Sequence, residues 1–256
     1  MVNILLYDGT YEGLFSVFFD CYKEKYAPVS IQKERNYQPA MFDHSTFIPT
    51  ELVKSDRVMK GLRKKLSSTA FSNLTKAFFS EFEDIEMTIY EYVQLVFNNK
   101  MNIEKDYRQS SVLRISQVTK KVNREIHRMH AFVRFQKTTD NIYAATIRPD
   151  FDVIPFIGSH FKERYADQLW MIYDTKRDYG LFYDLTRLDI IRLENPEWEG
   201  NKKIKRTLYS NNEIEFQTMW KNYFRATSIS ERKNMKLHLQ HMPRKYWHYL
   251  PEKQMV

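Results

Sequence analysis

The chain has 256 residues, 43% of them hydrophobic, which suffices for a buried core and is incompatible with wholesale disorder. A single cysteine, Cys21, excludes a disulfide framework and any cysteine-ligated cluster, and six glycines with eight prolines argue against a loop-rich all-β chain. The formal charge of +8 is unevenly placed: residues 1–100 hold 12 lysines and arginines against 13 acids, whereas residues 101–256 hold 28 against 19.

No stretch approaches the run of about 18 apolar residues that a membrane span needs. The opening MVNILLYDGTYEG has no basic segment before its short apolar stretch, unlike a signal peptide. A reduced, cytoplasmic protein is therefore expected, with no membrane partner.

In chain order, Asn3 to Tyr7 reads as a strand and Asp8-Gly9-Thr10 as a turn offering helix caps. Tyr11, Leu14, Phe15, Phe18, Phe19 and Tyr22 repeat at helical spacing up to Pro28. Val29 to Glu34 reads as a second strand and Asn36 to Thr50 as a loop. Helices are predicted over Glu51–Lys65 and Phe71–Phe97, the latter broken near its acidic middle, Glu81 to Glu86.

The helix predicted over Val112–Met129 carries most information. Ile115, Val118, Val122, Ile126 and Met129 share one face, while Arg114, Lys121, Arg124 and Arg128 lie roughly 120° away at about 100° per residue. One side packs and another is free to meet phosphates. Strands follow at Phe132–Gln136 and Ile142–Ile147, a proline-containing loop, a helix around Ser159–Gln168, and a hairpin of Leu169–Tyr173 with Tyr179–Tyr183. Leu188–Leu193 adds a strand. Glu213–Lys236 reads as a helix with Phe216, Trp220, Tyr223 and Phe224 inward, before an aromatic tail.

These elements predict an α+β fold, a mainly antiparallel sheet built from hairpins with helices packed against it. The chain reads as a single domain, residues 1–256, with a mostly helical, near-neutral half to residue 110 and a basic α+β half from 111. Tyr7-Asp8-Gly9-Thr10 and Tyr183-Asp184-Leu185-Thr186 echo each other.

Four strings, YDGTYEGL (Tyr7–Leu14), KVNREIHRMHAFVRF (Lys121–Phe135), HFKERYADQLWMIYD (His160–Asp174) and PRKYWHYLPE (Pro243–Glu252), together resemble a bacterial DNA metabolism / DNA repair protein family. That family is a domain of unknown function encoded beside a radical-SAM DNA modification or repair protein, and some members are fused to a uracil-DNA glycosylase-like domain. The resemblance runs in order along nearly the whole chain. It departs at Ala131, where a small residue, often glycine, is expected before the Phe-Val-Arg-Phe string. The resemblance implies a DNA-repair process and a radical-SAM partner, and brings no established activity. No fused glycosylase-like domain is expected, since the sequence stops at Val256.

The residues themselves point to a polyanion. Lys121, Arg124, Arg128, Arg134, Arg244 and Lys245 are the candidate nucleic-acid contacts, because arginine forks match phosphate oxygens and cations beside Tyr246 and Trp247 suit stacked bases. The competing reading pairs some of these cations with buried carboxylates. His127, His160 and Asp174 are the catalytic candidates, on the expectation that His127 and His160 meet at one end of a sheet and line a pocket with Tyr173 or Asp174.

His127, His130 and His160 lack a metal-binding spacing, so no metal is expected. Asp8 with Thr10 and Glu12 reads as a helix cap rather than a catalytic group. Ser159-His160 lacks a nucleophile-elbow context. Neither a GxGxxG string nor a P-loop is present, so no cofactor is expected, and the absent CxxxCxxC means that this chain is not itself the radical enzyme. The reading is a DNA-binding accessory protein acting with a radical-SAM partner in DNA repair or modification. The alternatives are an enzyme acting on damaged DNA, as a nuclease or glycosylase/lyase, and a protein-interaction scaffold without nucleic-acid binding.

Overall fold

Ile4, Leu5, Leu6 and Tyr7 are all buried, so β1 (Asn3–Tyr7) cannot be an alternating edge strand. The structure, a computed structural model, describes residues 3–41, 43–194, 198–199, 203–227 and 234–254. Its contacts divide the chain into two units, residues 1–123 and 124–256.

In the first unit, Thr10 caps α1 (Tyr11–Glu24) by accepting from the Gly13 amide, and the helix ends at Lys25, in the left-handed region at φ 55°. The stop thus precedes the expected Pro28. β2 (Ser30–Lys33) and β3 (His44–Phe47) flank β1, both parallel to it, in the order β2-β1-β3. This corrects the expectation of antiparallel hairpins, because α1 carries the chain back to the starting end of the sheet. It also corrects the loop expected over 36–50: β3 is exposed at all four residues, so no alternation marks it.

Helices α2 (Leu52–Lys65), α3 (Ser68–Phe78) and α4 (Ile85–Asn98) complete the layer, with the first part of α5 (Ser110–Phe132). The expected break falls between α3 and α4, where Glu81 and Asp84 take φ near 54° and 57°. Tyr7 donates its hydroxyl to buried Glu86 at 2.9 Å, joining β1 to α4.

The second unit contains the rest of α5 and a five-stranded sheet. Its strands are β4 (Gln136–Lys137), β5 (Tyr143–Ile147), β6 (Trp170–Asp174), β7 (Tyr179–Tyr183) and β8 (Leu188–Ile191), paired in sequence order. Three pairings are antiparallel, but β5 and β6 run parallel, so the sheet is mixed. The reason is α6 (Ile154–Arg164), the crossover between them, which starts earlier than expected. Pro155 lies in its first turn, where the missing N–H costs nothing, so a proline that reads as loop in fact opens a helix. The core packs Met129 and Val133 with Ile154, Ile157 and Phe161 of α6 on Trp170, Ile172 and Leu181 of the sheet.

Two further expectations change. α5 continues through Phe132, so the strand expected there shrinks to Gln136–Lys137. After the short pair β9 (Trp198–Glu199) and β10 (Lys203–Ile204), α7 (Glu213–Thr227) presents Phe216 and Tyr223 outward, 58% and 60% exposed, rather than inward. α7 is anchored at its start instead, where buried Glu213 accepts from the Lys137 amide at 2.9 Å. The helix expected to reach Lys236 crosses residues 228–233, which lie outside the described residues, and α8 (Met235–His241) follows. Two 3-10 turns, Arg244–Tyr249 and Pro251–Lys253, end the described chain, with Tyr246, Leu250 and Glu252 buried.

The echoed strings form the same turn. Asp8 Oδ1 accepts from the Thr10 amide at 2.9 Å and hydroxyl at 2.7 Å, and Asp184 Oδ1 accepts from the Thr186 amide at 2.9 Å and hydroxyl at 2.6 Å. The residue between has positive φ in each, 87° at Gly9 and 77° at Leu185. Burial opposes ionisation of Asp8, but the bonds from Thr10 and Thr50 outweigh it and hold its pKa low. The Arg187 amide and Thr186 do the same for Asp184.

Candidate nucleic-acid interface

α5 buries its apolar face as its period demands: Ile115, Val118, Val122 and Met129 are buried and Ile126 half-buried. Of its basic stripe, Arg114 and Lys121 belong to the first unit and lie over the Phe82 ring at 5.2 Å each. Arg124 and Arg128 belong to the second. Arg124 is exposed and pairs with no carboxylate among the described residues.

Glu125 organises the second unit. It is 2% exposed, and a carboxylate so placed needs compensating donors. Its partners are the Asp150 amide at 2.9 Å, the Tyr246 hydroxyl, Lys245 Nζ at 3.3 Å and Arg128 at 3.7 Å. Burial first, and then the bond to Glu125 and its charge, push the Tyr246 hydroxyl far above the ordinary tyrosine range. Lys245 also bonds Asp150. Two candidate phosphate contacts, Arg128 and Lys245, therefore sit beside a buried counter-charge. The sequence reading gave Glu125 no role. The available signal is spacing, since Glu125 follows Val122 by three residues and precedes Met129 by four, on the buried stripe.

Arg134 is similarly engaged. Its Nη2 and Nε donate to Glu252 Oε1 at 2.8 and 3.2 Å, and its Nη1 donates to the Ala131 carbonyl at 2.7 Å. Trp220 Nε1 donates to the other Glu252 oxygen at 3.0 Å. Burial alone would raise the Glu252 pKa, but the bond and charge of Arg134, with Trp220, hold it low. This cluster clamps the tail onto α5 and α7. Arg244 is exposed, its guanidinium 6.0 Å from the Trp247 ring centre.

Three segments distant in sequence then converge. The strand-end loop 148–150, the β6–β7 turn and the tail 245–249 form an open pocket of about 440 Å3, lined by Arg148, Pro149, Asp150, Lys176, Lys245, His248 and Tyr249. Among the described residues, three cations and a histidine line it with one carboxylate. The turn is stiffened from below: Arg177 donates to fully buried Asp174 at 2.6 Å and to the Asp150 carbonyl at 3.0 Å. Lys176 donates to that same carbonyl at 2.9 Å. Burial raises the Asp174 pKa against the opposing pull of Arg177. Sequence reading did not group Arg148, Lys176, His248 and Tyr249, because only the folded chain brings their segments together.

The catalytic candidates are arranged otherwise than expected. The histidine that meets His160 is His130: the rings stack with centroids 3.9 Å apart and planes 17° from parallel. His127 is exposed, and Asp174 holds the β6–β7 turn. Burial, followed by the charges of His160 and His127, lowers the His130 pKa. Stacked imidazoles offer each other their faces, whereas metal ligation uses ring-nitrogen lone pairs in the ring plane. Among the described residues, no three or more histidine, cysteine, aspartate or glutamate side chains are placed to hold a metal ion.

Among the described residues, no helix is long and apolar enough to cross a membrane. No curated protein matches this chain. Residues 83–252, from the end of the α3–α4 link to Glu252, match the model of a domain of unknown function, DUF4130, and the chain belongs to that family.

Proposed function

We propose that this chain binds DNA through its second unit, with the pocket of Arg148, Lys176, Lys245 and His248 taking backbone phosphate. The observation that carries the reading is that pocket, in which cations from three segments surround a depression with a single carboxylate among the described residues. Residues 124–256 hold 23 lysines and arginines against 17 acids, an excess that supports attraction of a polyanion. Tyr249 adds an aromatic face at the pocket wall, suited to an unpaired base.

Binding is favoured over catalysis because His160 and Asp174 are each engaged, one in a stack and the other in a turn. The repair or modification setting and the radical-SAM partner rest on the family resemblance. The test is fluorescence anisotropy of labelled duplex and single-stranded oligonucleotides across a salt series. Log affinity should fall linearly with log salt, by about 0.9 per phosphate on duplex or about 0.7 on single strands. An affinity flat in salt would overturn the reading.

A further inference from the structure

The first unit holds a separate cleft of about 990 Å3 lined from α1 with its C-terminal end, α2 and α4. Among the described residues, six aromatic rings and four cations line it, and no carboxylate does. Two of the cations have local duties. Lys23 pairs with Glu24 at 2.9 Å, and Lys65 donates to the carbonyls of Val96 and Phe97 at the end of α4, both at 3.0 Å. Lys25 and Arg57 have no carboxylate partner among the described residues. Arg57 lies 5.7 Å from the Phe19 ring centre, so an unneutralised guanidinium borders an apolar wall.

The remaining lining distinguishes between guests. Tyr22 is 81% exposed at the mouth, and Tyr26 stands near it in the lining, so flat faces are available for stacking. Gln94 and Asn98 bring two amides, and Gln94 donates to the Tyr90 hydroxyl at 2.7 Å. An aliphatic chain would cover these amides without pairing them, which costs free energy. A heterocyclic base stacks on the rings and hydrogen-bonds to amides along its edge, and a phosphate answers the two free cations.

We propose that this cleft binds a nucleotide, with its base among the aromatic rings beside Gln94 and Asn98 and its phosphate at Lys25 and Arg57. The guest is either a free mononucleotide or an unstacked nucleotide of a single strand. The inference concerns the first unit alone and does not rest on the phosphate pocket of the second.

The full chain is titrated calorimetrically with adenosine 5′-monophosphate, adenosine, sodium decanoate and a ten-nucleotide oligo-deoxyadenylate, and the variants Tyr22→Ala and Arg57→Ala, both at exposed positions of the cleft, are titrated beside it. The monophosphate or the oligonucleotide should bind, with adenosine at least about tenfold weaker than the monophosphate if that is the guest. Each variant should weaken that binding about 5- to 100-fold. Monophosphate binding that both variants weaken assigns a free nucleotide, and oligonucleotide binding alone that both weaken assigns one within a strand. The proposal fails if neither nucleotide probe binds, if decanoate binds more tightly than both, or if the two variants bind like the parent. Oligonucleotide binding that neither variant weakens overturns this inference while leaving the second unit's DNA binding in place.

Discussion

His130 and His160 stack face to face with their ring centroids 3.9 Å apart, so protonating both would set two positive charges in contact at a partly buried position. The His130 pKa accordingly lies below the ordinary histidine value of 6.5, owing first to burial and then to the charges of His160 and His127. Below that ordinary value the unfolded chain binds a proton that the folded chain resists. The stability from this group is present above about pH 6.5 and is lost as pH falls from there through the folded pKa. The melting temperature should therefore drop between pH 7 and pH 5.5, and His130→Phe, which keeps an aromatic ring and removes the charge, should flatten that drop. An unchanged slope in the variant would contradict the account.

Arg134→Ala should destabilise the second unit by about 3 kcal/mol, because it strands the Glu252 carboxylate at 1% side-chain exposure. Glu252→Gln should cost less, since the amide oxygen can still accept from Trp220. Urea unfolding of the two variants against the parent measures both, and equal losses would contradict the added cost of a stranded buried carboxylate.

Arg124→Ala and Arg148→Ala are expected to leave the unfolding free energy from urea titration within about 0.5 kcal/mol of the parent, since both side chains are exposed and pair with no carboxylate among the described residues. Each should weaken DNA binding and reduce the salt slope by about 0.9 on duplex if it contacts one phosphate. A normal slope together with a shifted midpoint would assign that arginine to the fold.

The paired turns at Asp8 and Asp184 invite an exchange. Leu185 holds φ 77° with a side chain 47% exposed, so Leu185→Gly should raise stability by up to about 1 kcal/mol as left-handed strain is relieved. Gly9→Ala should lower it by about 1–2 kcal/mol. A Cβ at position 9 would meet nothing closer than the Lys33 side chain at 3.5 Å, so that loss would come from the backbone alone. Thermal melts of the two variants moving in the same direction would contradict this.

Periodicity carries the elements that are half buried and fails elsewhere. α5 is legible because its apolar residues recur at helical spacing, and β6 and β7 because turn residues bound short aromatic runs. β3 is not, since an exposed edge strand needs no apolar face. The parallel pairing of β5 with β6 depends on where α6 starts, and Pro155 reads equally as a loop residue or a first-turn residue. At the site, the basic character of Arg124 and Arg128 is plain in sequence, but which cations face buried carboxylates depends on contacts such as Lys245 with Glu125, 120 residues apart. α7 misleads because its aromatic spacing implies burial, whereas Phe216 and Tyr223 face outward.

The Glu125 and Arg134 clusters also bear on how the protein is made. Both close only against residues 245–252, through Lys245 and Tyr246 in one case and Glu252 in the other, across 120, 121 and 118 residues. At ribosomal rates of about 5–20 residues per second, Glu125 and Arg134 emerge roughly 6–24 s before their partners. During that interval α5 and the sheet carry charged groups facing an unfinished core. Until those partners emerge the second unit therefore lacks the contacts that close both clusters, and a ribosome stalled short of Lys245 holds a sheet with two open acid–base seats.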